Sequence, residues 1–198
     1  MLLRVLLPFS NDRPSPKRLV TSLRRRFLWP VMTVLDTRVA VPSEDDLARL
    51  LQIGVVIEEY AEEKSARLLS DAVDDESVRE MLDESLEESD EHRRRILDVV
   101  RDMGADIDEE HVESLVRDAV ETNIDSPANP DEALRQQLKS ERLAYSYYDS
   151  LIEACRASEN IDDGTLAGVL DTLEEIREDE REDAEKIETV LNENGTRK

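Results

Sequence analysis

Residues 86–97 read LEESDEHRRRIL, and residues 176–187 return a partial echo of them, IREDEREDAEKI. Stepping by three and four along the first stretch links Leu82, Ser85, Ser89, His92, Ile96, Val99 and Met103. The same steps along the second link Leu173, Ile176, Glu180, Asp183, Ile187 and Val190. Residues three and four apart lie on one face of an α-helix, so each stretch reads as a helix with an apolar stripe. In the first that stripe carries His92, and in the second it carries Glu180 and Asp183 in the corresponding region. A histidine and carboxylates set among leucines and isoleucines need a physical reason.

Working outward, four long helices are predicted. Pro42-Ser43 followed by Asp46 forms a capping signal that opens the first, over about 44–73. Asp74-Asp75 breaks and recaps the chain, and the second runs over about 76–103 to Gly104, a C-terminal stop. A connection of about 27 residues follows, with one short helical stretch, EEHVESLVRDAV, and the turn signal SPANPD. The third helix covers about 131–157, SENIDDG makes a loop, and the fourth covers about 164–192. Only 5 glycines occur, and no run alternates as a half-buried strand would. The expected fold class is all-α: an antiparallel four-helix bundle of two hairpins joined by a long crossover between the second and third helices, plus an N-terminal extension.

The first helix gives the stripe Leu47, Leu51, Gly54, Glu58, Ala61, Ser65, Leu68 and Ala72, and the third gives Leu134, Leu138, Glu141, Tyr145, Tyr148, Ile152 and Cys155. Each of the four stripes is interrupted near its middle by a group able to bind metal. Glu58, His92, Glu141, Glu180 and Asp183 are therefore expected to converge in the core. Buried carboxylates cost several kcal/mol each unless protonated, paired or bound to a cation, roughly speaking. A second apolar face on the first helix, Leu50, Ile53, Ile57 and Tyr60, leaves the rival reading that Glu58 turns outward and Glu59 takes its place. His111 reads as part of a solvated helix start, and Cys155 as a small core residue. A single cysteine excludes an internal disulfide and a four-thiolate iron site.

Charge narrows the partners. Asp and Glu number 49 against 26 Lys and Arg, a net charge of -23, which leaves little attraction for nucleic acid or anionic lipid. Arginine far outnumbers lysine, a composition like that of proteins from salt-accumulating halophiles, whose cytosol would screen the repulsion. Residues 1–42 break this pattern, with eight basic residues, Arg24-Arg25-Arg26 among them, against Asp12 and Asp36. This arm reads as a basic amphipathic surface segment, a disordered tail, or a stretch outside the natural protein, with Met32 the true start. The last is preferred because the acidic composition begins just beyond Met32. The apolar start MLLRVLLPFS lacks a cleavage pattern, and no run reaches the roughly 18–20 apolar residues of a membrane span. A cytoplasmic location is the resulting expectation.

The pattern over about 44–192 resembles the ferritin-like superfamily, its rubrerythrin-type members most. That family holds two irons with a Glu on the first and third helices and a Glu-x-x-His on the second and fourth. Glu58 and Glu141 match the first pair, His92 the second-helix histidine and Glu180 the fourth-helix glutamate, with Tyr148 seven residues beyond Glu141. Ser89 stands where a glutamate is usual and Asp183 where a histidine is usual. Glu88, beside Ser89 but rotated by about 100°, is a poor substitute. The resemblance implies one or two Fe or Mn ions held by Glu58, His92, Glu141, Glu180 and Asp183, with Tyr148 as the catalytic phenol. It also implies oxidation of ferrous iron by oxygen or peroxide, and the simpler assembly is a homodimer. The alternatives are a ferritin-like bundle that has lost catalysis and serves a structural or interaction role, or a protein working on membranes or nucleic acid through its basic arm.

Overall fold

A computed structural model of the chain describes residues 40–70, 75–123 and 127–196. Among these residues the protein is all-helical, with five helices and no strand: α1 (Glu44–Ser70), α2 (Glu76–Asp102), α3 (Glu109–Asn123), α4 (Pro130–Arg156) and α5 (Asp163–Thr196). The basic arm lies almost wholly outside the described residues. No helix among them is long and apolar enough to cross a membrane.

The helix ends follow from local chemistry. The Ser43 hydroxyl donates to Asp46 Oδ2 at 2.7 Å while its oxygen accepts from the Asp46 backbone N–H at 3.2 Å. Asp75 opens α2 by accepting from the N–H groups of Ser77 and Val78. Asn129 does the same for α4 through Glu132, ahead of Pro130, whose missing N–H costs nothing in a first turn. Asp162 caps α5 through Gly164 and Thr165. Gly104, at φ 71°, takes the left-handed turn that ends α2. The crossover helix α3 opens at Asp108, which accepts from the His111 N–H, and His111 itself is exposed.

The helices form a bundle in which α1 lies along α2 and α4 along α5, with α1 also touching α4 and α2 touching α5. Leu47, Leu51, Gly54, Glu58, Ala61, Ser65 and Leu68 of α1 are all buried. Its second apolar face is also covered: α3 lies against α1, and Val112 and Val116 enter the same cluster as Leu50, Ile53, Ile57 and Tyr60. The extra face thus belongs to the crossover, and Glu58 is fully buried rather than turned outward.

Two positions on the expected stripes shift by a residue or more. Val100, not Val99, is buried in α2, and Ala144 and Tyr147, rather than Tyr145, are buried in α4. A straight helix drifts against a strict heptad. α4 is also held between α1 and α5, so its buried arc is broader than one stripe. Tyr147 meets Tyr148 edge-on, with ring centres 5.3 Å apart, and donates its hydroxyl to the Leu50 carbonyl.

The core is apolar at both ends and polar between. One cluster gathers Leu47, Leu51, Ile96, Leu151, Leu173 and Ile176 with their neighbours. The other gathers Leu68, Val78, Leu82, Leu134, Leu138 and Ile187. Between them lie buried Glu58, Lys64, Ser65, Ser89, His92, Gln137, Ser140, Glu141, Glu180 and Asp183. Each fully buried leucine contributes about 2 kcal/mol, so the two apolar ends supply the stability against which this belt is held.

Candidate metal centre

Three helices bring the closest group together: Glu58 from α1, His92 from α2 and Glu180 from α5. One ligand atom from each lies within 4.8 Å of the others, and all three side chains are buried. His92 Nδ1 is 3.2 Å from Glu180 Oε1 and 3.8 Å from Glu58 Oε2, the second too long for a hydrogen bond. On the other side of the ring, Nε2 is 3.2 Å from Asp179 Oδ2. An N–H on Nε2 donating to Asp179 leaves the Nδ1 lone pair facing the two glutamates. Histidines that ligate metals are commonly oriented in this way by a carboxylate.

The phenol of Tyr148 donates to Glu58 Oε1. It reaches α1 at Gly54, where an added Cβ would lie 3.4 Å from the Tyr148 oxygen. Burial, followed by the charge of Glu58, holds the phenol well above its usual pKa, so it stays a neutral donor. Glu58 Oε2 and Glu180 Oε2 meet no donor at all. Buried carboxylate oxygens seldom go unpaired, so a proton or a cation is required there.

Glu141 and Asp183 lie beside this group without joining its closest set. Gln137, itself bonded to Ser65 at 3.1 Å, donates its amide to Glu141 Oε1. Glu141 also lies close enough to Glu180 for each to influence the other's protonation. Burial is the largest cause raising both pKa values, and the charges of Glu58 and Glu141 push Glu180 up further. Asp183 Oδ1 accepts from Lys186 Nζ at 2.7 Å.

Glu88 departs from the sequence expectation. Although rotated away from Ser89, it lies near Asp183, its Oε2 is buried without a partner, and its pKa is raised to about 8, by burial first and by Asp183 next. The signal was present, since residues four apart share a helix face and Glu88 is four before His92. Lys64 was also missed. It is buried, donates to Ser140 Oγ at 2.8 Å and to the Gln136 carbonyl, and has its pKa lowered to about 8 by burial against the opposing pull of Glu141. Asp179 was likewise missed, because it is half exposed and lies off the apolar stripe. Cys155 is a buried thiol raised to about 11 by burial, in keeping with a core residue.

A chain that is all-helical over its described residues, with a buried Glu/His/Glu group that could bind metal, is the class these observations define. Residues 44–198 match the family described as a domain of unknown function (DUF892), and the chain belongs to that family. No curated protein and no solved structure matches the chain significantly.

Proposed function

We propose that the protein is a ferritin-like metal-binding protein, an antiparallel four-helix bundle with a long crossover, which holds iron or manganese between Glu58, His92 and Glu180. The observation that carries this reading is the orientation of His92. One ring nitrogen is directed at two buried carboxylates, each with one oxygen that lacks a donor, and the other is held by Asp179. Two carboxylates and one imidazole form an oxygen-rich set suited to Mn or Fe(II). Glu141 and Asp183 stand next to this set as further acidic groups.

A bound ferrous ion would supply electrons to oxygen or peroxide, the oxidase or peroxidase-type stress chemistry that the ferritin-like resemblance implies. The chain's own residues have definite parts in such a site. Tyr148 holds Glu58 in place through its hydroxyl and keeps a proton beside it. Asp179 fixes the ring of His92. The apolar clusters above and below limit entry of water.

Anaerobic loading of the refolded full chain with Fe(II) or Mn(II) in high salt, followed by elemental analysis, tests the reading. Stoichiometric uptake is expected, with most of it lost in His92→Ala; uptake below about 0.2 equivalents would end the metal-binding reading.

A second reading rests on a specific observation. Without a cation the belt can neutralise itself, since His92 has its pKa raised by Glu58 and Asp179 despite the opposing effect of burial, and Glu180 takes up a proton. Such a bundle would be a catalytically inactive scaffold acting as a structural or interaction protein. Negligible metal uptake by a well-folded chain is its signature.

A further inference from the structure

The two sides of the belt differ in what balances their charge. Glu58 Oε2 and Glu180 Oε2 belong to side chains no more than 4% exposed, and neither meets a donor. Asp183, by contrast, accepts from the ammonium of Lys186 at 2.7 Å. Glu141 accepts the amide of Gln137, and the buried ammonium of Lys64 is tied to Ser140, the residue before Glu141, and to the Gln136 carbonyl. Ser89 adds no carboxylate between them, and its short side chain carries no charge to link two ions. Among the described residues, Glu58, His92 and Glu180 are the one group whose ligand atoms converge.

Resting on the metal-binding reading, we propose that the centre holds a single divalent cation, with the ammonium group of Lys186 serving Asp183 in place of a second metal ion. A second ion at Asp183 would have to displace the Lys186 ammonium. Like charges repel strongly where water is scarce. Glu88 Oε2 also lacks a partner, but among the described residues no set of three ligand atoms converges on it. Glu58 and Glu180 thus serve the ion, and Asp183 serves Lys186.

Titration of the metal-free full chain with Mn(II), followed by electron paramagnetic resonance, tests the proposal. The expected result is saturation at about one equivalent per chain with the six-line spectrum of an isolated ion. Saturation at about two equivalents with an exchange-coupled spectrum would overturn the single-ion assignment while leaving metal binding intact. Absence of bound Mn(II) would overturn both. The variant Ser89→Glu with Lys186→Gln supplies the missing carboxylate and removes the half-exposed ammonium, so its capacity should rise to about two. If it folds, as circular dichroism would show, and still binds only one, the role given to Lys186 is wrong.

Discussion

Glu58 and Glu141 occupy related places in the two hairpins, yet their surroundings differ. Glu58 has a tyrosine hydroxyl on one oxygen and no donor on the other. Glu141 has an amide, a neighbouring acid and the field of a buried lysine. The lesson is that similar stripes can carry different electrostatic duties, because the duty is set by what arrives from the facing helices. α1 supplies Lys64 and Ser65 to the Glu141 side, and α5 supplies Asp179 and Glu180 to the His92 side.

Removing a titratable group from each side should therefore have opposite effects on the metal-free protein. Lys64→Met deprives Ser140 and the Gln136 carbonyl of a donor and Glu141 of a positive charge. It should lower unfolding free energy by about 3 kcal/mol in a denaturant titration; a loss below about 1 kcal/mol would mean that the lysine is incidental. Glu180→Gln removes a buried acid crowded by Glu58 and Glu141, and should stabilise the metal-free chain by about 1.5 kcal/mol. It should also abolish Mn(II) uptake. A destabilised Glu180→Gln that still binds metal would reverse the proposed division of roles. Smaller again, Tyr148→Phe removes one hydrogen bond to Glu58 and should cost about 1 kcal/mol, with metal affinity changed far less than in His92→Ala.

Much of the arrangement is legible in the sequence because helical periodicity is a local property. The capping residues Ser43 and Asp75, the stop at Gly104 and the inward set Glu58, His92, Glu141, Glu180, Asp183 and Tyr148 follow from spacing alone, and all six of these side chains are buried. Less legible is anything decided between helices. Glu88 stands one residue off its stripe, but it turns in because Asp183 waits on α5. Lys64 has the composition of a surface residue and is buried because Ser140 and the Gln136 carbonyl on α4 receive it. The apolar face of Leu50, Ile53 and Ile57 is ambiguous until α3 is placed over it. Periodicity indicates which way a side chain faces, whereas its protonation and its partners depend on neighbours distant in the chain.

The last contrast concerns pH. Glu88 titrates near 4.5 when unfolded and at about 8 in the folded protein, so the proton it holds stabilises the fold fully below about 4.5 and ceases to do so as pH passes 8. Glu141 and Glu180 are raised as well and act in the same direction. His92, raised from 6.5, adds stability that is complete below that value and is lost above it. All four signs agree, so the metal-free protein should melt at progressively lower temperature as pH climbs from about 5 to 8. Bound Mn(II) needs ionised carboxylates and a neutral imidazole, so its stabilisation should grow across the same interval and flatten the decline. Thermal melts at constant high salt, with a chelator or with Mn(II), give the two slopes; Glu88→Gln should reduce the metal-free slope by removing one of the four groups. A metal-free melting temperature that rises with pH would show that protons do not hold the belt together, and parallel slopes with and without Mn(II) would show that the ion does not replace them.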